Sequence, residues 1–163
     1  MNIRKAIPSD YNRIMEIYAI AREYMKNSGN PNQWKDSYPE KNIVNKDIEE
    51  KIGYVLEDNG HIFACFVFIK GYEKSQELKF PSDKEYGIIH RVASDWSKRN
   101  IVSRIVDFAK KQISILRIET HEDNKTMQKA VEKLGFKRLG IIQLDDKSFR
   151  ILYELKGDVW SDM

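Results

Sequence analysis

One stretch of the chain is apolar on both faces, and it restricts the fold more than any other feature of the sequence. In an extended strand from His61 to Lys70, the apolar side chains on one face would be Ile62, Ala64, Phe66 and Phe68, and those on the other Phe63, Cys65, Val67 and Ile69. Such a strand is stable only inside a sheet that is covered on both sides. The preceding Asn59-Gly60 favours a tight turn, so Tyr54 to Glu57 is predicted to be its antiparallel neighbour.

Helices and further strands alternate along the rest of the chain. Apolar side chains recur every three or four residues after Pro8, which predicts a helix that ends before Gly29. Later helices are predicted at about 41–51, after the charged turn SDWSKRN, and after Asp123 or Asn124, which can cap a helix. The remaining strands are predicted at 2–6, 86–93, 115–120, 136–144 and 149–155.

The order of these elements predicts the fold class. Strand–helix–strand alternation in the second half indicates parallel neighbours, while the hairpins indicate antiparallel ones. We therefore predict an α/β fold with a mixed, mostly antiparallel central sheet and helices on both of its faces. No linker or repeat interrupts residues 1–163, so a single domain is expected, with the polar segment Gly71 to Lys84 as a flexible excursion.

Composition excludes several function classes. The 28 Lys and Arg residues exceed the 25 Asp and Glu residues by only three, and the charges are interspersed, which argues against a nucleic-acid partner. A single cysteine, Cys65, forms neither an internal disulfide nor a thiolate-rich zinc site. The sequence shows neither a signal peptide pattern nor an apolar stretch long enough for a membrane helix, so we predict a cytoplasmic protein with no membrane partner.

Motif searching leaves one candidate for chemistry. The sequence contains no GxxxxGK[ST] motif, no GxGxxG after the first strand, and no HExxH or Cys/His cluster, so no metal is expected. What remains is a strand, GIIHRVA, followed by the basic turn SDWSKRN and then a helix. Free N–H groups at the start of a helix, together with Lys98 and Arg99, would suit a phosphate or pyrophosphate. A solvated surface turn is the alternative interpretation.

Three segments together resemble the GNAT superfamily of acyl-CoA-dependent N-acetyltransferases. IRKAIPSDYNRIMEIY resembles the first strand and helix of the family. HRVASDWSKRNIVSRIVDFAKK is similar to its central strand, phosphate loop and following helix, and RIETHEDNKTMQKAVEKLGFKRLGII to its fifth strand, Asn-led helix and sixth strand. NPNQW, YP and IHRVAS also resemble a poorly characterised bacterial subgroup. The resemblance covers nearly the whole chain and implies a GNAT-type sheet with a splayed parallel pair.

The resemblance also implies a site for acetyl-CoA. The pantetheine arm would pair with the backbone of the fourth strand, a loop before the next helix would hold the pyrophosphate, and the Asn-led helix would add further contacts. A backbone N–H near Val92 or Ala93 would polarise the thioester carbonyl. The residues expected to contact the coenzyme are Val92, Ala93, Ser94, Lys98, Arg99, Asn100, Ile101, Val102, Ser103, Asn124 and Met127.

Two departures from the family pattern bear on activity. In the phosphate loop SKRNIV, Asn100 and Val102 stand where small residues are usual; Asn tolerates a left-handed backbone, but the branched Cβ of Val102 opposes close approach of a pyrophosphate. Val131 occupies the position at which many members carry a Tyr that protonates departing CoA. Weaker coenzyme binding and slower catalysis are expected.

The resemblance further implies an acceptor amine and a base to deprotonate it. The candidate bases are His121, His90 and Glu119; their structural alternatives are a capping histidine, a packed strand histidine and a cross-strand pair with Arg117 or Lys137. Tyr24, Trp34 and Tyr38 are expected to line the acceptor pocket, although Trp34 could equally pack its loop onto the sheet.

These observations predict an N-acetyltransferase that moves acetyl from acetyl-CoA to an unidentified primary amine by direct attack. Two alternatives remain open. One is a CoA-binding module with little or no transferase activity, for which Asn100 and Val102 argue. The other is a nucleic-acid or ribosome-associated module, against which the mixed charge argues. A homodimer is compatible with each of them.

Overall fold

The computed structural model describes residues 1–157 of the chain and contains seven strands and five α-helices in that range. The strands are β1 (Asn2–Lys5), β2 (Gly53–Asp58), β3 (His61–Gly71), β4 (Tyr86–Ser94), β5 (Ile115–Thr120), β6 (Lys137–Gln143) and β7 (Phe149–Lys156). The helices are α1 (Tyr11–Asn27), α2 (Lys41–Glu49), α3 (Lys74–Glu77), α4 (Ile101–Lys110) and α5 (Lys125–Lys133), and a short 3-10 helix, Pro8–Asp10, precedes α1.

The strands form one mixed sheet in the order β1-β2-β3-β4-β5-β7-β6. The register is antiparallel for β1 with β2, β2 with β3, β5 with β7 and β6 with β7, whereas β4 and β5 run parallel. The hairpin turn at Asn59-Gly60 is present, with positive φ at both residues. The predicted fold class is confirmed: a mostly antiparallel sheet with one parallel pair and flanking helices.

The apolar strand predicted from the sequence is β3, and it is an internal strand between β2 and β4. Its residues from Ile62 to Phe68 are all buried. Side chains alternate between the two faces of a strand, so burial of seven consecutive residues requires cover on both faces. The prediction of a central strand is confirmed.

The chain forms two compact units. The first contains residues 1–68 and 90–101, and the second contains residues 69–89 and 102–163, of which 158–163 lie outside the described part. The first unit has a core in which the predicted stripe of α1, represented by Ile14, Ile17 and Tyr18, packs with residues of α2, β2 and β3. Trp34 also belongs to this core and is 6% exposed.

In the second unit the segment expected to be an irregular excursion is partly ordered. Residues Lys74–Glu77 form the single turn α3, and the segment that follows lies against β6. Lys79 Nζ donates a hydrogen bond to the carbonyl oxygen of Ile141 at 2.9 Å. The Phe80 ring lies beside Gly140. Residues 78–84 contain neither helix nor strand, as predicted. The turn α3 and these two contacts were not predicted, and the contacts join residues that are distant in sequence.

None of the helices within residues 1–157 combines the length and apolar character that crossing a membrane requires.

Candidate functional site

The basic turn between β4 and α4 is anchored by Asp95. Its backbone N–H donates to the carbonyl oxygen of Phe63 on β3 at 2.9 Å. Its Oδ2 accepts from Arg13 Nη2 at 2.6 Å and lies 3.1 Å from His61 Nε2. Arg13 in turn donates through Nε to the carbonyl oxygen of Ile62 at 2.9 Å. The start of the turn is therefore tied to β3 and to α1 within the first unit.

The ionisation of Asp95 fits this role. Burial raises the pKa of its carboxyl, but hydrogen bonds from Ser97 and the charges of Arg13 and His61 outweigh burial, so the net pKa lies below its usual value. Asp95 is consequently a carboxylate at neutral pH and can accept the hydrogen bonds of Arg13 and Ser97.

Two residues of the turn have left-handed backbone. Trp96 has φ 67° and Asn100 has φ 61°. The hydroxyl oxygen of Ser94 accepts from Trp96 N–H at 2.9 Å, and Asp95 Oδ1 accepts from Ser97 N–H at 2.9 Å. Asn adopts positive φ more readily than most residues because its short side chain bonds locally. The left-handed backbone that Asn tolerates is therefore present at Asn100.

The cations of the turn are on the surface, and residues 96–100 are all exposed. Lys98 Nζ lies 3.4 Å from Asp58 Oδ2, while no ion pair involving Arg99 is present among residues 1–157. Helix α4 then begins at Ile101, which is buried, whereas Val102 and Ser103 are half-buried. The turn thus presents positive charge where the helix begins, which is the arrangement that suits an anion.

The strand that leads into the turn contains a backbone irregularity. Arg91 has φ 47° within β4, and it is followed by Val92, which is half-buried, and by Ala93 and Ser94, which are buried. Arg91 Nη2 donates to both carboxylate oxygens of Asp47 on α2, at 2.6 Å each. The expected pantetheine-contacting residues therefore directly follow a left-handed residue held by an ion pair.

The aromatic residues expected to line an acceptor pocket have two different environments in the first unit. Trp34 packs edge-on against Tyr18 and Tyr38, with ring centroids 5.6 Å and 6.1 Å apart. Tyr24 is half-buried, and its ring lies 4.0 Å from that of Trp96, which is 51% exposed. Trp34 thus has the core environment of the packing alternative, while Tyr24 has a surface partner. Acceptor binding by these residues stays a prediction.

In the second unit, Asn124 is the N-cap of α5. Its Oδ1 accepts from the backbone N–H of Met127 at 3.0 Å, as the capping prediction required. The carbonyl oxygen of His121 accepts from Asn124 N–H at 3.0 Å, and His121 Nδ1 accepts from Asp123 N–H at 3.0 Å. In a neutral imidazole this bond occupies the basic nitrogen and leaves the proton on Nε2. His121 has the geometry of the capping alternative.

The other two candidate bases differ in their ionisation. His90 is half-buried on β4, and burial, assisted by the charge of Arg91, lowers its pKa to about 4, so it is neutral at pH 7. Glu119, on β5, accepts a hydrogen bond from Gln76 Nε2 at 3.1 Å. Burial raises the pKa of the Glu119 carboxyl, and the Gln76 hydrogen bond opposes that increase. A carboxylate with a raised pKa is the stronger proton acceptor of the two.

The expected pairing of Glu119 with Arg117 or Lys137 was wrong. Arg117 donates through Nε to Glu154 Oε2 at 2.9 Å, and its Nη1 lies 3.7 Å from Glu77 Oε2. Lys137 is opposite Glu154 in the β6–β7 register. Arg117 and Glu119 are two residues apart on β5 and therefore share a face of the sheet. Arg117 nevertheless contacts Glu154 on β7 and Glu77 on α3, and Glu119 contacts Gln76 instead.

Sequence reasoning missed the residues that hold the turn and the strand in place, namely Arg13, Asp47, His61, Arg91 and Asp95. A signal existed for one of them, because Arg91 is a charged residue inside the otherwise apolar YGIIHRVA strand. No signal indicates which carboxylate it meets. Within residues 1–157 there is no group of three His, Cys, Asp or Glu side chains that could hold a metal ion.

Comparison with known proteins gives a result at the level of structure alone. No family model matches the sequence. No curated protein matches it either. A GNAT-family acetyltransferase from Streptococcus agalactiae is 24% identical, with a TM-score of 0.85 over 96% of this chain and 95% of that chain. One from Listeria monocytogenes is 20% identical, with a TM-score of 0.70 over 95% and 94%.

A third neighbour is yncA from Salmonella typhimurium, whose structure was solved with its cofactor acetyl-CoA. It is 16% identical to this chain, with a TM-score of 0.63 over 97% of this chain and 94% of that one. These likenesses span nearly the whole length of both partners. This chain therefore has the fold of the GNAT acetyltransferases.

Proposed function

We propose that this protein is an acetyl-CoA-dependent N-acetyltransferase that transfers the acetyl group to a primary amine. The observation that carries the proposal is the turn from Asp95 to Asn100. It is fixed at its start by Arg13 and His61, and it reaches the first residue of α4 through a left-handed Asn100. In a GNAT fold this is the connection that the sequence resemblance assigns to the coenzyme diphosphate.

The residues of the turn fit an anionic ligand. Lys98 and Arg99 are exposed, and the first N–H groups of a helix have no acceptors within the helix itself. Lys98 already neighbours Asp58, but the pair is exposed, and such pairs contribute only about 0–1 kcal/mol, so a diphosphate would compete for the ammonium group at little cost. Val102 is half-buried in the first turn of α4, and its Cβ remains the feature that weakens binding.

The chemistry proposed for the strand is stabilisation of charge. The thioester carbonyl oxygen becomes negatively charged when an amine attacks its carbon, and a backbone N–H at Val92 or Ala93 would donate to that oxygen. The C–N bond forms, the C–S bond breaks, and the electron pair of that bond leaves with the CoA sulfur. A thiol has a pKa of about 8.5, so CoA can leave as the thiolate without the Tyr that Val131 replaces.

A base must remove a proton from the amine, because a lysine-like amine has a pKa of about 10.4 and is protonated at neutral pH. For this role we propose Glu119 in preference to His90 or His121. Its raised pKa and the orienting hydrogen bond from Gln76 support the choice. The basic nitrogen of His121 is already engaged, and a group with a pKa of about 4, such as His90, accepts a proton less readily.

The proposal is tested in two steps. Isothermal titration of acetyl-CoA into the purified chain is expected to give saturable binding, which Lys98→Met with Arg99→Met weakens about tenfold or more. Thiol release is then measured over a panel of primary amines. The absence of binding by the unaltered protein would reject the proposal.

A second candidate, a CoA-binding module without transferase activity, is favoured by one observation: Val131, at the position of the family's Tyr acid, is fully buried. Binding of acetyl-CoA without thiol release for any amine would select this candidate. If the protein instead binds acetyl-CoA and short RNA with equal affinity, and salt alone weakens both, the nucleic-acid module is indicated.

A further inference from the structure

Arg91 adopts a backbone conformation that its residue type disfavours. It has φ 47° inside β4, where the neighbouring residues are extended. For any residue with a Cβ the left-handed region costs free energy, because the Cβ approaches the carbonyl oxygen too closely. Non-glycine residues are held there when surrounding contacts over-determine the conformation. The contacts of the Arg91 side chain are therefore the candidate cause of this conformation.

The Arg91 guanidinium is held from two elements of the first unit. Nη2 donates to both oxygens of Asp47, on α2, at 2.6 Å each, and Nη1 donates to the hydroxyl oxygen of Tyr38 at 3.1 Å. Only 15% of the Arg91 side chain and 9% of the Asp47 side chain are exposed. The loop that carries Tyr38 is held as well, since Arg22 Nη1 donates to the Tyr38 carbonyl oxygen at 3.3 Å.

A buried ion pair of this kind is poorly explained by stability. Removing two charges from water is costly, and well-packed apolar residues of similar volume are often at least as stable. The cost is visible at Asp47, since burial raises the pKa of its carboxyl despite the opposing charge of Arg91. The Arg91 Nε, also buried, has no hydrogen-bond acceptor among the described residues. The Arg91–Asp47 ion pair is therefore better explained by the backbone conformation that it specifies at Arg91 than by a gain in stability.

The conformation at Arg91 decides where the following backbone groups point. A left-handed residue within a strand re-aims the chain beyond it, as in a β-bulge. Here the re-aimed residues are Val92 to Ser94, which lead directly into the turn anchored by Asp95.

We propose that Asp47 and Tyr38 clamp Arg91 in its left-handed conformation and thereby direct the backbone of Val92 to Ser94 for acetyl-CoA, which makes Arg91 a positioning residue. The inference rests on the proposed function for its ligand. The clamp itself rests on the contacts of Arg91 alone.

The test uses paired substitutions, because removing one charge alone would leave its partner buried and unpaired and could unfold the protein. Asp47→Asn combined with Arg91→Gly removes both charges but leaves a residue that adopts positive φ freely. Asp47→Asn combined with Arg91→Ala removes the same charges and disfavours positive φ. The two double variants differ by a single methyl group, so loss of the ion pair and loss of side-chain volume are nearly matched.

Titration calorimetry with acetyl-CoA and the thermal unfolding temperature are measured for both variants and the unaltered protein. We expect the Gly variant to bind acetyl-CoA with an affinity within about threefold of that of the unaltered protein. The Ala variant is expected to bind about tenfold more weakly than the Gly variant, because alanine must pay the free-energy cost of the left-handed conformation when the coenzyme binds. Equal affinities in the two folded variants would overturn the inference and leave the proposed function intact.

A backbone readout separates failure of the clamp from failure of the function. Crystal structures of the two variants give φ at residue 91, which is expected to stay positive with Gly and to become negative with Ala. A positive φ in the Ala variant would overturn the clamp whatever the protein binds. If the unaltered protein binds no acetyl-CoA, the proposed function fails and the ligand half of the inference fails with it, while φ at residue 91 still decides the clamp.

Discussion

Phe80 lies so close to Gly140 that no other residue fits there without movement. A Cβ built on Gly140 would be 2.6 Å from Cζ of the Phe80 ring, and Gly140 has φ 156°. The two residues come from different parts of the second unit: Phe80 follows α3, and Gly140 lies in β6, next to a shift in the β6–β7 register. Glycine at this point is what lets the segment after α3 lie against β6.

We expect Gly140→Ala to destabilise the second unit, because the added methyl group must displace the Phe80 ring and because alanine is strained at a φ of 156°. Overpacking of this kind costs typically about 1–3 kcal/mol. Hydrogen exchange is expected to accelerate at residues 76–82, and urea denaturation reports the change in the free energy of unfolding. Gly53→Ala is the control, since its Cβ would meet Asp47 Cβ at an ordinary 3.5 Å. Equal effects of the two substitutions would contradict the prediction.

A second prediction concerns the loop before α4. Val102→Gly is expected to tighten acetyl-CoA binding, because it removes the branched Cβ from the position that the resemblance assigns to close approach of the diphosphate. Asn100→Val is expected to weaken binding by about tenfold, since a β-branched residue disfavours the φ of 61° found there, whereas Asn100→Gly retains it. Calorimetry with acetyl-CoA measures all three. Unchanged or weaker affinity in Val102→Gly would show that the diphosphate lies elsewhere.

The third prediction identifies the base through pH dependence. Because burial raises the pKa of Glu119, kcat/KM is expected to fall on the acid side as this carboxylate becomes protonated. Glu119→Gln should remove that limb and lower the rate by about 10² or more. Gln76→Leu should move the limb to higher pH, since it deletes a hydrogen bond that lowers the Glu119 pKa.

His121→Asn is the matched control for this pH profile. It is expected to change the hydrogen bonds at the start of α5 but not the proton transfer. The same acid limb in Glu119→Gln and in the unaltered protein would remove Glu119 from the proposed mechanism. A shifted limb in His121→Asn would return that histidine to it.

The fourth prediction concerns stability in acid. Arg4 Nη1 donates to Asp10 Oδ2 at 2.8 Å, and Arg4 Nε donates to Glu57 Oε1 at 2.9 Å. The Arg4 hydrogen bonds are the largest cause that lowers the pKa of both carboxyls. A carboxyl group whose pKa is lower in the folded than in the unfolded protein stabilises the fold at pH values above its unfolded pKa. This contribution is lost as the pH falls through the folded pKa.

Arg4→Met should therefore destabilise the protein at pH 7, and its deficit relative to the unaltered protein should shrink as pH is lowered below about 4. Urea denaturation at a series of pH values measures the difference. Lys98→Met, which removes the exposed pair with Asp58, is the control and should change stability little at any pH. A deficit in Arg4→Met that does not depend on pH would contradict the prediction.

The fifth prediction is that Cys65 is chemically inert in the folded protein. It is 2% exposed, and burial raises the pKa of its thiol to about 12. Because the thiolate is the reactive form, an aromatic disulfide reagent at pH 8 should modify no thiol in the native state and one in guanidinium chloride, which matches the single cysteine of the chain. Native modification faster than global unfolding would show that the strand opens locally.

Much of the fold followed from short-range patterns. The Asn59-Gly60 turn, the stripe of α1, the Asn124 cap and the left-handed Asn100 each depend on residues close together in the chain. The anion site that the sequence indicated at the strand–turn–helix connection stays a prediction. Sequence reasoning did not find contacts whose partner lies elsewhere in the chain, as for Glu119 with Gln76 and for the contacts of the segment after α3 with β6.

The sequence by itself determined most of the residues that form strands, turns and helix caps, since propensity and periodicity act over a few neighbouring residues. Only the tertiary structure decided that Arg91 meets Asp47 and Tyr38, that Asp95 meets Arg13 and His61, and that Phe80 lies on Gly140. The physical reason is that a charge or a ring has many chemically equivalent partners along a chain. Packing of the backbone selects one of them by bringing it within contact distance.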